Sequence, residues 1–222
     1  MTFTQMRDQL IAMDPLNISH IRAVNKAELE YWRRSSGFRM DTSDNILGFD
    51  CGGQQWVQEV TFPSGSLSKP EHRDLNFVRD VLSMVEKERI PAPCPIEQRW
   101  SARSTARMSP CYSDNPEKLH SWVGIIMYLP TDNQQQREAI TKRFFDYSGK
   151  MLRHICPKYD ATEHWAKIEA PEGERALRDT QERLRRRFPV EEFNQIRAEL
   201  DPNNILPNQS FASLLEHQLE TQ

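Results

Sequence analysis

Glycine is scarce in this sequence: 8 of 222 residues, roughly half of the ~7% average usage. A backbone that wraps phosphate needs glycine for positive φ and close approach. Neither GxGxxG nor GxxxxGK[ST] occurs, and Gly52-Gly53 is the one adjacent pair. By itself the chain is a poor holder of a dinucleotide. Cysteine is also sparse. Cys51, Cys94, Cys111 and Cys156 lie far apart with no CxxC pair, which argues against a disulfide framework and predicts no structural metal. A surplus of positive charge is missing too. The net charge of -3 and pI of about 6.1 disfavour a dedicated nucleic-acid binder. No apolar run approaches the ~20 residues of a membrane helix. The opening MTFTQMRDQL lacks an apolar signal core, and Asp8 is out of place in an acid-poor transit peptide.

What is present is a globular balance, 37% hydrophobic and 27% charged residues, in a chain long enough for one large domain or two small ones. Helical spacing predicts a helix over Thr4–Met13 and another from about Ser19 to near Gly37. Gln54–Phe62 alternates as a strand, with Val57, Glu59 and Thr61 on one face, and Pro63-Ser64-Gly65-Ser66 closes it. Asp74 is read as the cap of a helix with an apolar stripe at Phe77, Val81, Met84 and Val85. The PAPCP run then delivers an extended segment, Ile96–Arg103.

After a polar loop, SWVGIIMYLP reads as a central strand, and Asp132 as the cap of a helix with Ile140, Phe144 and Tyr147 inward. An extended piece, Glu163–Ala170, precedes an Arg-rich helix and a last helix, Val190–Leu200. The mixture lacks regular strand–helix alternation. It predicts an α+β fold with an antiparallel sheet flanked by helices.

Chemistry-bearing residues cluster in three places. In Ile96-Glu97-Gln98-Arg99-Trp100, a strand places Glu97 and Arg99 on one face about 7 Å apart. Such a pair suits a polyhydroxylated substrate, or equally a surface ion pair. In Glu163-His164-Trp165-Ala166-Lys167, a straight strand puts His164 and Lys167 on opposite faces, so both reach one ligand only if the segment bends. Cys51 sits in the permissive loop Gly48-Phe49-Asp50-Cys51-Gly52-Gly53; it is either a reactive thiol or a small buried hydrophobe. Arg183, Arg185, Arg186 and Arg187 read as a solvated helix end rather than a phosphate site.

The strings LGFDCGGQQWV, IPAPCPIEQRWSARS, SWVGIIMYLPT, EHWAKIE and RFPVEEFNQIRAELDPNNIL resemble the C-terminal half of the galactonolactone dehydrogenases. These are mitochondrial enzymes of ascorbate synthesis in the aldonolactone oxidoreductase group, with gulonolactone and arabinonolactone oxidases, among the vanillyl-alcohol-oxidase-type FAD enzymes. The similarity runs in order from about Phe3 to about Asn208. It implies that residues 1–222 form a substrate-binding domain. Glu97 and Arg99 would bind and orient an aldonolactone beside the flavin, with Lys167 and His164 near the substrate. Arg99 and Lys167 would also face the flavin ring, and Cys51 would be a redox-sensitive thiol.

The family's FAD-binding domain has no counterpart here. The expectation is therefore a fragment, or one piece of a split enzyme completed by a flavin-domain polypeptide on which residues 190–222 pack. The resemblance further implies mitochondrial localisation, cytochrome c as electron acceptor and, as the alternative to catalysis, a scaffolding role in respiratory complex I assembly.

Overall fold

A computed structural model of the protein describes residues 3–38, 40–43, 54–171, 173–206 and 208–215. The α+β expectation holds. Four strands form one antiparallel sheet in the order β2-β3-β1-β4: β1 Gln55–Ser66, β2 Glu97–Ala102, β3 Lys118–Tyr128 and β4 Thr162–Glu163. Eight α-helices are seen among the described residues: α1 Phe3–Met13, α2 Ile18–Arg34, α3 Arg73–Lys87, α4 Gln134–His154, α5 Cys156–Tyr159, α6 Glu174–Arg187, α7 Val190–Leu200 and α8 Gln209–Leu215.

Alternation along β1 and β3 gives the sheet two unlike faces. Val60 and Phe62 of β1, with Val123, Ile125 and Met127 of β3, turn toward α3 and α4. They meet Phe77, Val81, Ile140, Phe144, Tyr147 and Met151 in the main core. Phe62 stacks on Phe77 at 4.6 Å between ring centroids. On the other face, α1 and α2 cover only one end, packing Ile11, Ile21 and Val24 on Ile126 and Tyr128. The Arg7 guanidinium lies 3.8 Å above the Tyr128 ring and donates to its hydroxyl. A third cluster joins α6 to α8 through Leu184, Phe188, Leu214 and Leu215, so the C-terminal segment packs within this chain as far as Leu215.

Several local expectations need correction. β1 does not stop at Pro63 but runs to Ser66 with a register irregularity between the two. Proline is tolerated there because β4 pairs only with Val60 and Thr61, so Pro63 owes no donor to the outer edge. Gly65 follows at φ 101°, where a Cβ would lie 2.5 Å from the Lys69 carbonyl oxygen. Only glycine fits that turn.

Asp74 lies inside the first turn of α3 and not at its cap. Its carboxylate accepts from the indole of Trp100 (3.0 Å) and the amide of Gln98 (3.3 Å), fastening the helix to β2. The cap of α4 is Asn133, whose side chain accepts from the Gln136 N–H, rather than Asp132. Aspartate and asparagine cap almost equally well, so adjacent candidates are not separable by preference alone.

The arginines of α6 divide: Arg186 is solvated as expected, its side chain 77% exposed and paired with Glu182 of the same helix, whereas two others, part-exposed, also reach neighbouring elements. Arg183 binds the buried Glu163 carboxylate at 2.6 Å, and Arg187 donates to the Thr162 hydroxyl and the Pro110 carbonyl. They bolt the helix to β4.

Candidate active site

On the sheet face opposite the main core, one row of the ladder reads Glu59, Gly124, Glu97 across β1, β3 and β2, and the next reads Thr61, Trp122, Arg99. Side chains on one face of neighbouring strands meet at such positions. With no side chain at Gly124, the row between the two carboxylates is open. Glu97 leans over that gap, its Oε2 3.8 Å from where a Cβ would stand.

The residue that grips Arg99 is Glu59, not Glu97. The guanidinium donates through Nε to Glu59 Oε1 (2.7 Å) and through Nη2 to Oε2 (3.0 Å), a two-pronged pair. The same group lies 4.4 Å above the Trp122 ring, whose indole N–H is held by the Ser101 hydroxyl at 2.9 Å. The Glu59 side chain is 10% exposed and that of Arg99 48% exposed. The arginine therefore reaches outward from a buried anchor. Glu97 makes no side-chain hydrogen bond among the described residues and keeps its acceptors free.

After β4 the chain bends. The His164 N–H donates to the Glu59 carbonyl at 2.9 Å, and Trp165–Lys167 then wind into one 3₁₀ turn. His164 Nδ1 caps that turn by accepting from the Ala166 N–H at 3.1 Å. Burial pushes the imidazole below its ordinary value, assisted by Arg99 and Lys167 and opposed by Glu59. The ring is thus neutral, and the cap bond assigns its proton to Nε2. It rests edge-on against Trp122, 5.6 Å between centroids. The straight strand that would part His164 from Lys167 is replaced by a turn, and both residues act electrostatically together with Arg99 and Glu59.

The sequence profile of the D-arabinono-1,4-lactone oxidase family matches residues 17–214. The chain is 52% identical over 214 residues to L-galactono-1,4-lactone dehydrogenase 1, mitochondrial, of Oryza sativa, which covers 96% of this chain and 37% of that protein. It is 53% identical over 208 residues to the mitochondrial L-galactono-1,4-lactone dehydrogenase of Brassica oleracea, covering 94% and 35%. The chain belongs to the D-arabinono-1,4-lactone oxidase family. It spans just over a third of the length of these curated relatives.

Membership in the D-arabinono-1,4-lactone oxidase family implies FAD. The face fits the reactive ring of a flavin: the Arg99 guanidinium and the neutral His164 ring lie together on Trp122, with the charge of Lys167 felt at His164, and negative charge on a reduced ring would be offset there. It does not fit the dinucleotide tail, for which the sequence carries no glycine-rich phosphate loop.

Among the site residues expected from sequence, Glu97 and Arg99 share this face, His164 packs against its Trp122, and Lys167 acts electrostatically on His164 from the adjoining turn. Cys51 and its loop lie outside the described residues. Two of the described thiols, Cys94 and Cys156, are poor nucleophiles. Burial raises Cys94 to about 11 and drives Cys156 higher still. No group of three His, Cys, Asp or Glu among the described residues could hold a metal ion.

Sequence reasoning missed Glu59, Trp122 and Gly124. Their signals were present: a carboxylate between Val57 and Thr61 on one face of a strand, and a glycine inside an apolar strand, where close approach of another group is the usual reason.

His120 lies one row beyond Trp122 on the same face, 2% exposed, with Nδ1 unpartnered among the described residues. Burial, then the charges of Lys118 and Arg187, lower it from 6.5 to about 4. Protonation therefore favours the unfolded chain as pH falls below about 6.5, and the loss grows until about pH 4, reaching on the order of 3 kcal/mol. A His120→Gln variant is expected to lose less stability than the parent between those pH values. Urea unfolding of both across the range checks this, and parallel curves would refute it.

Proposed function

We propose that this chain is the substrate-binding half of a flavin-dependent aldonolactone dehydrogenase that oxidises L-galactono-1,4-lactone in the last step of ascorbate synthesis. FAD would be held mainly by a flavin-domain polypeptide or by sequence outside this chain. The observation that carries the reading is the free Glu97 carboxylate beside the Gly124 gap, with Arg99 on the next row of the same sheet face. A lactone ring presents hydroxyls to an acceptor and a carbonyl to donors, and this face supplies both. Glu97 accepts from ring hydroxyls and orients the ring. Arg99 and Lys167 offset negative charge that develops on the lactone, in a site drier than bulk water. Bound flavin would supply the hydride acceptor. Mitochondrial localisation and cytochrome c as final acceptor belong to the same proposal, supported by the mitochondrial designation of the relatives.

The test is purification of the tagged protein from its own source with whatever copurifies. A yellow complex with a flavin polypeptide, reducing cytochrome c when given L-galactono-1,4-lactone, is the expected result. A colourless chain comigrating with respiratory complex I, without lactone oxidation, would replace catalysis by scaffolding.

Gly124 offers a sharper check. Its φ is ordinary and a Cβ would meet nothing closer than 3.6 Å, so Gly124→Ala should fold at least as well as the parent, gaining up to about 1 kcal/mol. The added methyl fills the gap next to Glu97, and KM for the lactone should rise several-fold. Unchanged KM would place the substrate elsewhere.

A further inference from the structure

The face described above holds two carboxylates, Glu59 and Glu97, and the cation Arg99, with a neutral His164 beside them that feels the charge of Lys167. These charges are not free to rearrange. Glu59 is buried, and its two oxygens occupy the Nε–Nη2 edge of Arg99, while Trp122 fixes the plane of the guanidinium from beneath. What Arg99 still offers is chiefly the N–H groups of Nη1, on a cation whose charge already has a partner.

Such a donor suits a neutral carbonyl or hydroxyl oxygen. It suits a second carboxylate poorly, because two anions would then share one guanidinium with Glu97 close by. The same Glu59 also receives the His164 N–H through its carbonyl, so one residue sets the position of a donor on either side of the gap.

We infer that Glu59 is a positioning and specificity-determining residue: it holds Arg99 in place by a buried two-pronged pair and, by matching its charge, makes the site select the neutral ring-closed lactone over the ring-opened aldonate anion. This rests on the aldonolactone reading above. Hydrolysis of a lactone opens the ring and adds a full negative charge, so charge balance in the site tells the two apart in addition to shape. Glu59 touches neither substrate nor flavin in this account and acts through Arg99.

The experiment compares the assembled holoenzyme with its Glu59→Gln and Glu59→Asp forms. KM is measured for L-galactono-1,4-lactone and the inhibition constant for galactonate prepared from it by alkaline hydrolysis. Glu59→Gln retains the shape and removes the charge. The lactone KM should rise and the galactonate inhibition constant should fall, each about tenfold, opposite movements that a general loss of folding cannot produce. Glu59→Asp keeps the charge and shortens the reach. It should raise the lactone KM while galactonate stays a weak inhibitor.

Should Glu59→Gln not fold, Glu59→Asp decides: a raised KM with weak galactonate inhibition supports the role, and parental constants overturn it. If the ratio of the two constants in Glu59→Gln equals that of the parent, the role of Glu59 is overturned and the proposed function stands. A parent holoenzyme that neither binds nor oxidises the lactone overturns both.

Discussion

Replacing Arg99 with alanine is expected to lower kcat/KM for an aldonolactone by about 100- to 1,000-fold in the assembled enzyme, the range seen when one preorganised donor is removed from a developing negative charge. The same change strips the buried Glu59 of the guanidinium that takes both its oxygens, so thermal stability should fall as well. Glu97→Gln separates the two effects. Glu97 has no side-chain hydrogen bond among the described residues, so its neutral isostere leaves the fold intact. Loss of a charged acceptor toward ring hydroxyls should still reduce kcat/KM by about 10- to 100-fold. Steady-state kinetics and melting curves of the three proteins check this. Near-parental rates in both variants would take the pair out of the reaction.

The largest stability effect is expected in the core beneath the opposite sheet face. Phe62 is fully buried, stacked on Phe77 and 5.5 Å from the Tyr159 ring centroid. Phe62→Ala removes most of an aromatic side chain from between a central strand and two helices, leaving a cavity that rigid neighbours cannot fill. The cost should be about 3–5 kcal/mol, read as a lower urea midpoint at unchanged slope. A loss under about 1 kcal/mol would mean that α3 and α5 collapse onto the vacancy.

How much of this was legible in the sequence depended on the range of the interaction that decides each feature. The apolar stripe of α3 and the alternation in β1 are local patterns, and they placed helix and strand correctly. They also put Glu59 on the face with Val57 and Thr61, but a face is not a partner. The 40-residue separation between Glu59 and Arg99 is bridged only by the sheet order, with β3 between them. Family resemblance singled out Glu97 and Arg99 as a pair, whereas the ladder gives Arg99 to Glu59 and leaves Glu97 open.

The bend at 164–167 was illegible for a different reason. Nothing in His-Trp-Ala-Lys forbids a strand. The turn is held by two backbone i→i+3 bonds, by the imidazole accepting from a backbone N–H two residues on, and by the Trp165 indole donating to the distant Met108 carbonyl, so tertiary context decides it. The Arg-rich helix end misled because cations at a helix C-terminus have a sufficient local explanation, which hid the buried Glu163 that Arg183 serves.

Trp122 has a practical consequence. Its indole lies beneath the Arg99 guanidinium, against the His164 ring, and is itself shielded from water. A fluorophore so placed responds to any guest that shifts the cation above it. The protein carries an optical reporter of occupancy, and titration with unlabelled ligand can follow emission at equilibrium without turnover.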